Sequence, residues 1–173
     1  MNDACAIRKN EDVAKLRALE EEIASILEAV RVLGSPPQIV SFRIKIPTAR
    51  NAKFPTEQQG VSEVEIQLPE RYPFQAPNVV IKTPIWNPNV YASGKWCFGE
   101  WKVAENMRLF VIRLMKVIAL DPTIVNPQSP ANGDAARWYV QILSRTPELF
   151  PTVSVQSLMP GIEGPKISWR TIR

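Results

Sequence analysis

Histidine is absent from this 173-residue sequence, and cysteine occurs only twice, as Cys5 and Cys97. The lack of an imidazole excludes a cysteine–histidine catalytic dyad and any zinc site with a histidine ligand. A structural disulfide is not expected in a reducing compartment. The sequence has no Cys-x-x-Cys pair, so a thiol redox protein is not expected either. Chemistry at a cysteine must therefore proceed without an internal imidazole base, and we expect no metal and no cofactor.

Long apolar runs are also lacking. None reaches the roughly 18 residues that cross a bilayer, and the first residues lack the apolar core of a secretory signal. The net charge of +4 comes from acidic and basic residues interleaved along most of the chain, so nucleic acid is not an expected partner. The composition predicts an ordinary globular protein, which we place in the cytoplasm without membrane contact.

The periodicity of the apolar residues predicts an α+β fold. Spacings of three and four predict a first helix from Asn10, as its N-cap, to about Arg31, and Gly34 with the prolines after it ends that helix. Alternation then predicts an antiparallel meander of three to four strands. These strands cover Ile39–Ile46, Val61–Leu68 and Val79–Lys82, with a short one near Lys53 and Phe54.

Two further helices are predicted in the second half of the chain. Residues 106–120 are apolar on nearly all sides, which is typical of a helix buried across a sheet. Ser129 and Pro130 are predicted as the N-cap and first residue of a C-terminal helix that ends near Ser144.

No periodicity follows Pro147, so we predict one domain over residues 1–150 and a tail over residues 151–173. The basic end of that tail, residues 165–173, is interpreted as solvated. Contact with an acidic partner is the alternative.

The loop that delivers Cys97 is the most informative stretch of the sequence. Pro73, Pro77, Pro84 and Pro88 each fix a backbone angle and remove a donor, so residues 68–97 cannot form a helix. Long structured loops in compact domains are usually functional. We therefore interpret Cys97 as a catalytic cysteine, with a buried apolar role as the alternative.

The motifs in this loop resemble those of the ubiquitin-conjugating enzyme family. Residues Tyr72–Pro77 read Tyr-Pro-Phe-Gln-Ala-Pro, like the family's Tyr-Pro-Phe-x-x-Pro turn, and Asn87-Pro88-Asn89 matches its His-Pro-Asn motif. Cys97 follows Asn89 at the interval of the family's active-site cysteine. Residues 126–130 resemble its Asn-Pro-Asp-Asp-Pro loop, and the likeness spans about residues 61–143.

This resemblance implies a UBC-like fold and a thioester mechanism. Cys97 would accept the C-terminal acyl group of a ubiquitin-like modifier, or of a target protein, from an E1-like activating enzyme and pass it to an amine. Asn89 would hold the active-site loop or hydrogen-bond the oxyanion, with a simple turn role as the alternative. Ser129 would lie near the incoming lysine, unless it is only a helix cap.

Several residues depart from the family pattern. Asn87 stands in place of the histidine that braces the loop, and Tyr72, Pro73 and Pro88 are expected to support that loop with it. Gln128 and Ser129 replace both loop carboxylates, which weakens the case for general lysine ligation.

The resemblance also bears on partners. Met107 and Arg108 occupy the place of the Pro-Ala pair by which eukaryotic members contact RING-type ligases, so such a ligase is not the expected partner. Phe74 is retained, and we expect its side chain to be half-buried, with contact to a partner as the alternative. These departures indicate a divergent, bacterial member. By analogy, we expect it in an antiphage conjugation operon with a cyclic-nucleotide synthase (CD-NTase) as target. The competing interpretation is a catalytically weak variant that acts as a protein-binding scaffold.

Overall fold

The computed structural model describes residues 3–153, and these form an antiparallel sheet with helices against it. The helices are α1 (Asp3–Glu22), α2 (Met107–Ile118) and α3 (Gly133–Arg145), and a short 3₁₀ helix covers Pro147–Leu149. The strands are β1 (Leu27–Leu33), β2 (Ile39–Ile44), β3 (Thr48–Ala49), β4 (Gln58–Gln59), β5 (Ser62–Gln67) and β6 (Asn78–Ile81). The main sheet has the order β1-β2-β5-β6, and β3 pairs only with β4. The predicted α+β class is confirmed.

The first helix ends nine residues earlier than predicted, because β1 occupies the end of the predicted range. The register of β1 against β2 shifts between Glu28 and Arg31, and Ala29 lies there at φ 59°. This bulge puts the buried residues Leu27 and Val30 three positions apart instead of two. The spacing therefore imitates a helix turn. Asn10 is an exposed residue within α1 and not its N-cap.

The alternation in β2 and β5 is confirmed, since Val40, Phe42, Ile44, Val64 and Ile66 are all buried. β2 and β5 are the two central strands of the main sheet. β6 is an edge strand, and the chain continues from it into the loop of Cys97. The predicted strand near Lys53 and Phe54 is wrong. Both residues lie in the turn that joins β3 to β4.

The central helix α2 is confirmed as a buried element. Asn106 is its N-cap and accepts a hydrogen bond from the Leu109 N–H at 3.1 Å. Residues of α1, α2 and all four strands of the main sheet share a single apolar core. α2 is buried on most sides because it packs within this core and also against α1.

The last helix starts later than predicted. Asn132 is the N-cap of α3, and its Oδ1 accepts from the Ala135 N–H at 3.0 Å. Ser129 and Pro130 precede the helix because the N–H groups of Ala131 and Asn132 donate to the Pro88 carbonyl. The expectation of a Ser129 N-cap is therefore wrong.

A second apolar cluster lies under α3. It contains Phe150, which is 2% exposed, and Tyr139, whose hydroxyl donates to the Leu120 carbonyl at 3.0 Å. The backbone N–H of Val153 donates to Asp121 Oδ2 at 2.8 Å. Domain contacts thus reach three residues into the segment predicted as a tail, and residues 154–173 lie outside the described part.

Cys5 is 5% exposed within α1. The predicted first helix starts only at Asn10, beyond Cys5, whereas α1 begins at Asp3 and turns Cys5 into the protein. Within residues 3–153, no helix has both the length and the apolar character that a membrane span requires.

Candidate active site

The segment before Cys97 is attached to the free edge of β6. The Ile81 N–H donates to the Gly94 carbonyl at 2.8 Å, and the Trp96 N–H donates to the Val79 carbonyl at 3.0 Å. Gly94 has φ +83°, and a Cβ there would overlap the carbonyl oxygen of Ile81. Only glycine fits this approach. The main sheet therefore fixes the backbone that leads into the cysteine.

Cys97 is half-buried at the rim of an open cleft of about 260 Å³. Its backbone N–H donates to the Asn89 carbonyl at 2.8 Å, which ties it to the Asn-Pro-Asn motif. Its thiol makes no disulfide. The cleft is lined by Asn89, Trp96, Cys97, Phe98, Gly99, Arg113, Val117, Ile124, Asn126 and Ser129. Of the three residues predicted as catalytic, Cys97, Asn89 and Ser129, the fold brings all to this cleft.

Asn87 braces the motif from inside the protein. Its side chain is fully buried, its Nδ2 donates to the Val117 carbonyl at 2.7 Å, and its Oδ1 accepts from the Asn89 N–H at 2.9 Å. An amide has both a donor and an acceptor, so it serves both contacts at once. Asn87 therefore links α2 to Asn89, the residue whose carbonyl accepts from the Cys97 N–H.

Asn89 holds a second loop against the first. Its Nδ2 donates to the Asn126 carbonyl at 2.9 Å, and its Oδ1 accepts from the Asn126 N–H at 2.8 Å. This reciprocal pair fixes the loop that carries Ser129, which is exposed at the cleft. The second hydrogen of Nδ2 is left for another acceptor. The amide thus positions both loops and keeps one donor.

Arg113 was not predicted as a site residue, although it lines the cleft. Its Nη1 donates to the Phe98 carbonyl at 2.8 Å, directly after Cys97, and its Nε and Nη2 form a two-fold pair with Glu105 at 3.0 and 2.7 Å. The guanidinium also lies over the Trp96 ring, 5.4 Å from its centroid. A cation in the middle of the apolar helix α2, which also carries Arg108 and Lys116, is the sequence signal that could have identified it.

Tyr72 anchors the loop through a buried carboxylate that sequence reasoning also missed. The Tyr72 hydroxyl donates to Asp12 Oδ2 at 2.5 Å, and the Met107 N–H donates to Asp12 Oδ1 at 3.2 Å. Arg8 neutralises Asp12 through an ion pair of 2.7 Å. Burial first, and Asp12 second, raise the pKa of Tyr72 far above its ordinary value. This network joins α1, α2 and the Tyr-Pro-Phe turn.

Pro73 also receives a contact from beyond the cysteine. Its carbonyl accepts a hydrogen bond from the indole N–H of Trp101 at 2.7 Å. The Trp101 ring packs against the rings of Tyr72 and Phe110. The segment after Cys97 is therefore held by the Tyr-Pro-Phe turn and by α2.

The three residues predicted for partner contact differ in accessibility. Phe74 is 65% exposed, so the expected half-burial is wrong and the side chain is accessible to another protein. Met107 is fully buried, because the first turn of α2 directs its side chain into the core. The prediction that this side chain contacts a partner is therefore wrong. Arg108 forms a two-fold ion pair with Glu22 of α1 at 2.8 and 2.7 Å. This hydrogen-bonded pair holds the pKa of Glu22 below its usual value.

The sheet edge, the Asn-Pro-Asn loop and the cysteine cleft define a conjugating-enzyme core. The family model described as "Ubiquitin-conjugating enzyme" matches residues 11–148, and the chain belongs to this family. The predicted resemblance is confirmed.

Individual relatives agree with the family match. Mouse ubiquitin-conjugating enzyme E2 T is 30% identical over 105 residues, which cover 56% of this chain and 48% of that protein. Yeast ubiquitin-conjugating enzyme E2 13 is 24% identical over 129 residues, 72% of this chain and 82% of that protein. The chain spans about half the length of the E2 T proteins it matches.

A solved structure supports the fold. S. cerevisiae Ubc12 superposes with a TM-score of 0.60 at 22% identity, and the match covers 80% of this chain and 72% of that one. The likeness at this identity concerns the architecture alone.

Proposed function

We propose that the chain is an E2-like carrier of acyl groups. Cys97 accepts the C-terminus of a ubiquitin-like modifier, or of a target protein, from an E1-like activating enzyme, and the acyl group passes in the end to an amine. The thiolate attacks the activated carboxyl carbon, the bond from that carbon to the group through which the activating enzyme holds it breaks, and a thioester to Cys97 results. The Cys97 thiolate later departs as the leaving group, so neither step requires a histidine.

The observation that carries this proposal is the setting of Cys97. In a chain of the conjugating-enzyme family, the cysteine is half-buried at an open cleft, and backbone hydrogen bonds fix it to Asn89 and to the sheet edge. An extended peptide C-terminus needs such an open approach. A buried structural cysteine, such as Cys5 in this chain, offers none.

We assign Asn89 two roles in the transfer. It positions the loop of Asn126, and its second Nδ2 hydrogen is available to the oxyanion of a tetrahedral intermediate. Ser129 lines the same cleft, and its hydroxyl can accept a hydrogen bond from an incoming nucleophile but cannot take up its proton.

Loading with purified components tests the proposal. The protein is mixed with an activating enzyme, its modifier and ATP, and adducts are resolved on gels with and without thiol reductant. We expect a reducible adduct, no adduct for Cys97→Ala, and for Cys97→Ser either a reductant-stable oxyester or none. A folded protein that forms no reducible adduct, either with the activating enzyme or with an activated target C-terminus, would refute a carrier function.

A scaffold that only binds proteins is the second candidate. The observation that favours it is the absence of a carboxylate among the described cleft residues. Retention of Cys97 at the cleft argues against it. The two candidates differ in the loading assay, because a scaffold binds its partners without a covalent adduct.

We also infer a setting, by analogy alone. It is a bacterial antiviral conjugation operon acting in the cytoplasm, with a CD-NTase as the modified target. Neighbouring genes for an activating enzyme and a CD-NTase would support this setting, and a genome without an activating enzyme would contradict it.

A further inference from the structure

The guanidinium of Arg113, on α2, lies among three aromatic rings. Its central carbon is 5.4 Å from the ring centroid of Trp96, 5.8 Å from that of Phe98 and 5.3 Å from that of Phe110. The three rings also pack on one another, with centroids 5.0 to 5.2 Å apart. A guanidinium is attracted to the face of an aromatic ring. Arg113 therefore contacts three rings at once, and two of them belong to the residues directly before and after Cys97.

The same guanidinium also holds the backbone next to the cysteine. Its Nη1 donates to the Phe98 carbonyl at 2.8 Å, so Phe98 is fixed through its main chain as well as through its ring. On the other side of Cys97, Trp96 is fixed by the ring contact and by the hydrogen bond from its N–H to the Val79 carbonyl of the main sheet. One side chain of α2 thus orients both neighbours of the cysteine.

Glu105 fixes the orientation of this guanidinium. Its carboxylate accepts from Nε of Arg113 at 3.0 Å and from Nη2 at 2.7 Å, and the two side chains are only 17% and 22% exposed. Such a two-point pair sets the plane of the guanidinium, which leaves Nη1 for the Phe98 carbonyl. Glu105 is itself attached to α1, because Arg8 donates to the Glu105 carbonyl at 2.6 Å and to the Val103 carbonyl at 2.9 Å. The acceptor of the pair is therefore held independently of Arg113.

We propose that Arg113 is a positioning residue for acyl transfer at Cys97, and that Glu105 sets its orientation. This inference rests on the proposed thioester at Cys97. Transfer requires the sulfur to meet the carbonyl carbon from one direction, and a displacement of about 1 Å can slow such a step about a hundredfold. Arg113 acts on this geometry through Trp96 and Phe98, so it needs no contact with the acyl group.

The role requires an arginine and not only a positive charge. The N–H donors of a guanidinium form a planar fork that serves the Glu105 carboxylate and the Phe98 carbonyl together, and the planar group also stacks on the rings. A lysine ammonium is a compact point charge and cannot keep all of these contacts. Arg113→Lys therefore retains the charge in the cleft and removes the orientation, which separates the two effects.

Two reactions of the Cys97 thiol test the inference without an activating enzyme. All variants are full-length chains that carry Cys5→Ser, so Cys97 is the only thiol. In the first reaction a peptide with a C-terminal alkyl thioester acylates Cys97. The Cys97 sulfur bonds to the acyl carbon, the bond from that carbon to the alkyl sulfur breaks, and the alkyl thiolate leaves. In the second reaction iodoacetamide alkylates the same sulfur, and iodide leaves.

The ratio of the two rate constants, measured at neutral pH by intact mass, reports the orientation of the sulfur. Alkylation by a small reagent needs only an accessible thiolate. Acylation also needs the sulfur to be directed at a carbonyl carbon within the cleft. A change in the amount of thiolate alters both rate constants by the same factor and leaves their ratio unchanged.

We expect Arg113→Lys to lower the acylation rate constant at least about tenfold and the alkylation rate constant less than about threefold. Glu105→Gln keeps one acceptor oxygen for the guanidinium, so its acylation rate constant should fall by a smaller factor, about threefold. Arg43→Lys is the matched control. Arg43 is exposed on β2 in an ion pair with Glu28 at 3.3 Å, and neither rate constant should change. Melting curves show that each assay is run on folded protein, and Glu105→Gln tests the pair if Arg113→Lys does not fold.

An acylation rate constant of Arg113→Lys within about threefold of the parent would overturn the inference. So would an equal fall in both reactions, an equal loss in Arg43→Lys, or a lower melting temperature with an unchanged ratio, which would make the pair purely structural. An unchanged acylation rate constant in Glu105→Gln would overturn the role of Glu105. A parent protein that the peptide thioester acylates, but that accepts no modifier from an activating enzyme, would instead contradict the proposed carrier function. The two failures are therefore distinguishable.

Discussion

Replacement of Asn87 by alanine should destabilise the whole domain and not only the active-site loop. The side chain is fully buried, donates to the Val117 carbonyl and accepts from the Asn89 N–H. Alanine leaves the Asn89 donor unpaired, which costs about 1–3 kcal/mol for a buried group. The Val117 carbonyl keeps a second donor, the Leu120 N–H at 3.0 Å, so its loss is smaller.

Together we expect the free energy of unfolding to fall by about 2–3 kcal/mol. For a domain of this size that corresponds to a melting temperature lower by roughly 4–12 °C. Urea and thermal unfolding followed by circular dichroism measure both quantities. The yield of Cys97 adduct should fall as well, because the Asn89 carbonyl that holds the Cys97 N–H is no longer fixed.

Asn10→Ala is the matched control. Asn10 is exposed within α1, where alanine is a better helix former, so its stability should change by less than about 0.5 kcal/mol. Asn87→Asp should destabilise the protein too, because it places a carboxylate against the Val117 carbonyl. A loss below about 1 kcal/mol for Asn87→Ala would show that Asn87 is only a turn residue and refute the bracing role.

Three further outcomes can be measured on the same preparations. Asn89→Ala should still form a thioester at Cys97 but discharge it to amine roughly a hundredfold more slowly. Its melting temperature should also fall, because the two hydrogen bonds to Asn126 are lost. Discharge at the wild-type rate would contradict the catalytic role of Asn89. Burial raises the pKa of Tyr139 to about 12, so the unfolded chain loses this proton first and stability falls between pH 10 and 12. Tyr139→Phe should flatten that decline in alkaline melting curves, and an unchanged slope would count against it. Phe150→Ala should lower the free energy of unfolding, measured in urea, by about 3–5 kcal/mol. A chain ending at Val153 should keep its cooperative unfolding transition. A small loss of stability for Phe150→Ala would show that Phe150 is not a core residue.

Local patterns predicted most of the elements correctly. β2 and β5 alternate without interruption, and α2 is apolar on most sides, so each element carries its own periodicity. β1 could not be recognised in this way. The bulge at Ala29 changes the spacing of its buried residues from two to three, and that spacing belongs equally to a helix.

The site was predictable where a motif is continuous in the chain. Cys97, Asn89 and Ser129 were predicted from their motifs, and they meet at one cleft. Asp12 and Arg113 were not, because their roles depend on distant partners. Asp12 receives the hydroxyl of Tyr72, 60 residues away, and a periodicity argument treats it as an ordinary polar position on α1.

The start of α3 shows a competition between two local signals. Serine followed by proline is a common helix beginning, but Asn132 offers an equivalent cap three residues later. The Pro88 carbonyl decides between them, since it takes the N–H groups of Ala131 and Asn132. This contact between two loops leaves Ser129 free at the cleft, and no pattern within either loop records it.

The measurement that tests the central claim most directly is the site of the acyl group after loading. Wild-type protein, Cys5→Ser and Cys97→Ala are incubated with activating enzyme, modifier and ATP, and their intact masses and peptides are analysed before and after reduction. The account predicts one reducible modifier on Cys97 in the wild type and in Cys5→Ser, and none in folded Cys97→Ala. A reducible adduct that persists in Cys97→Ala, or equal loss in both variants with the fold preserved, would contradict it.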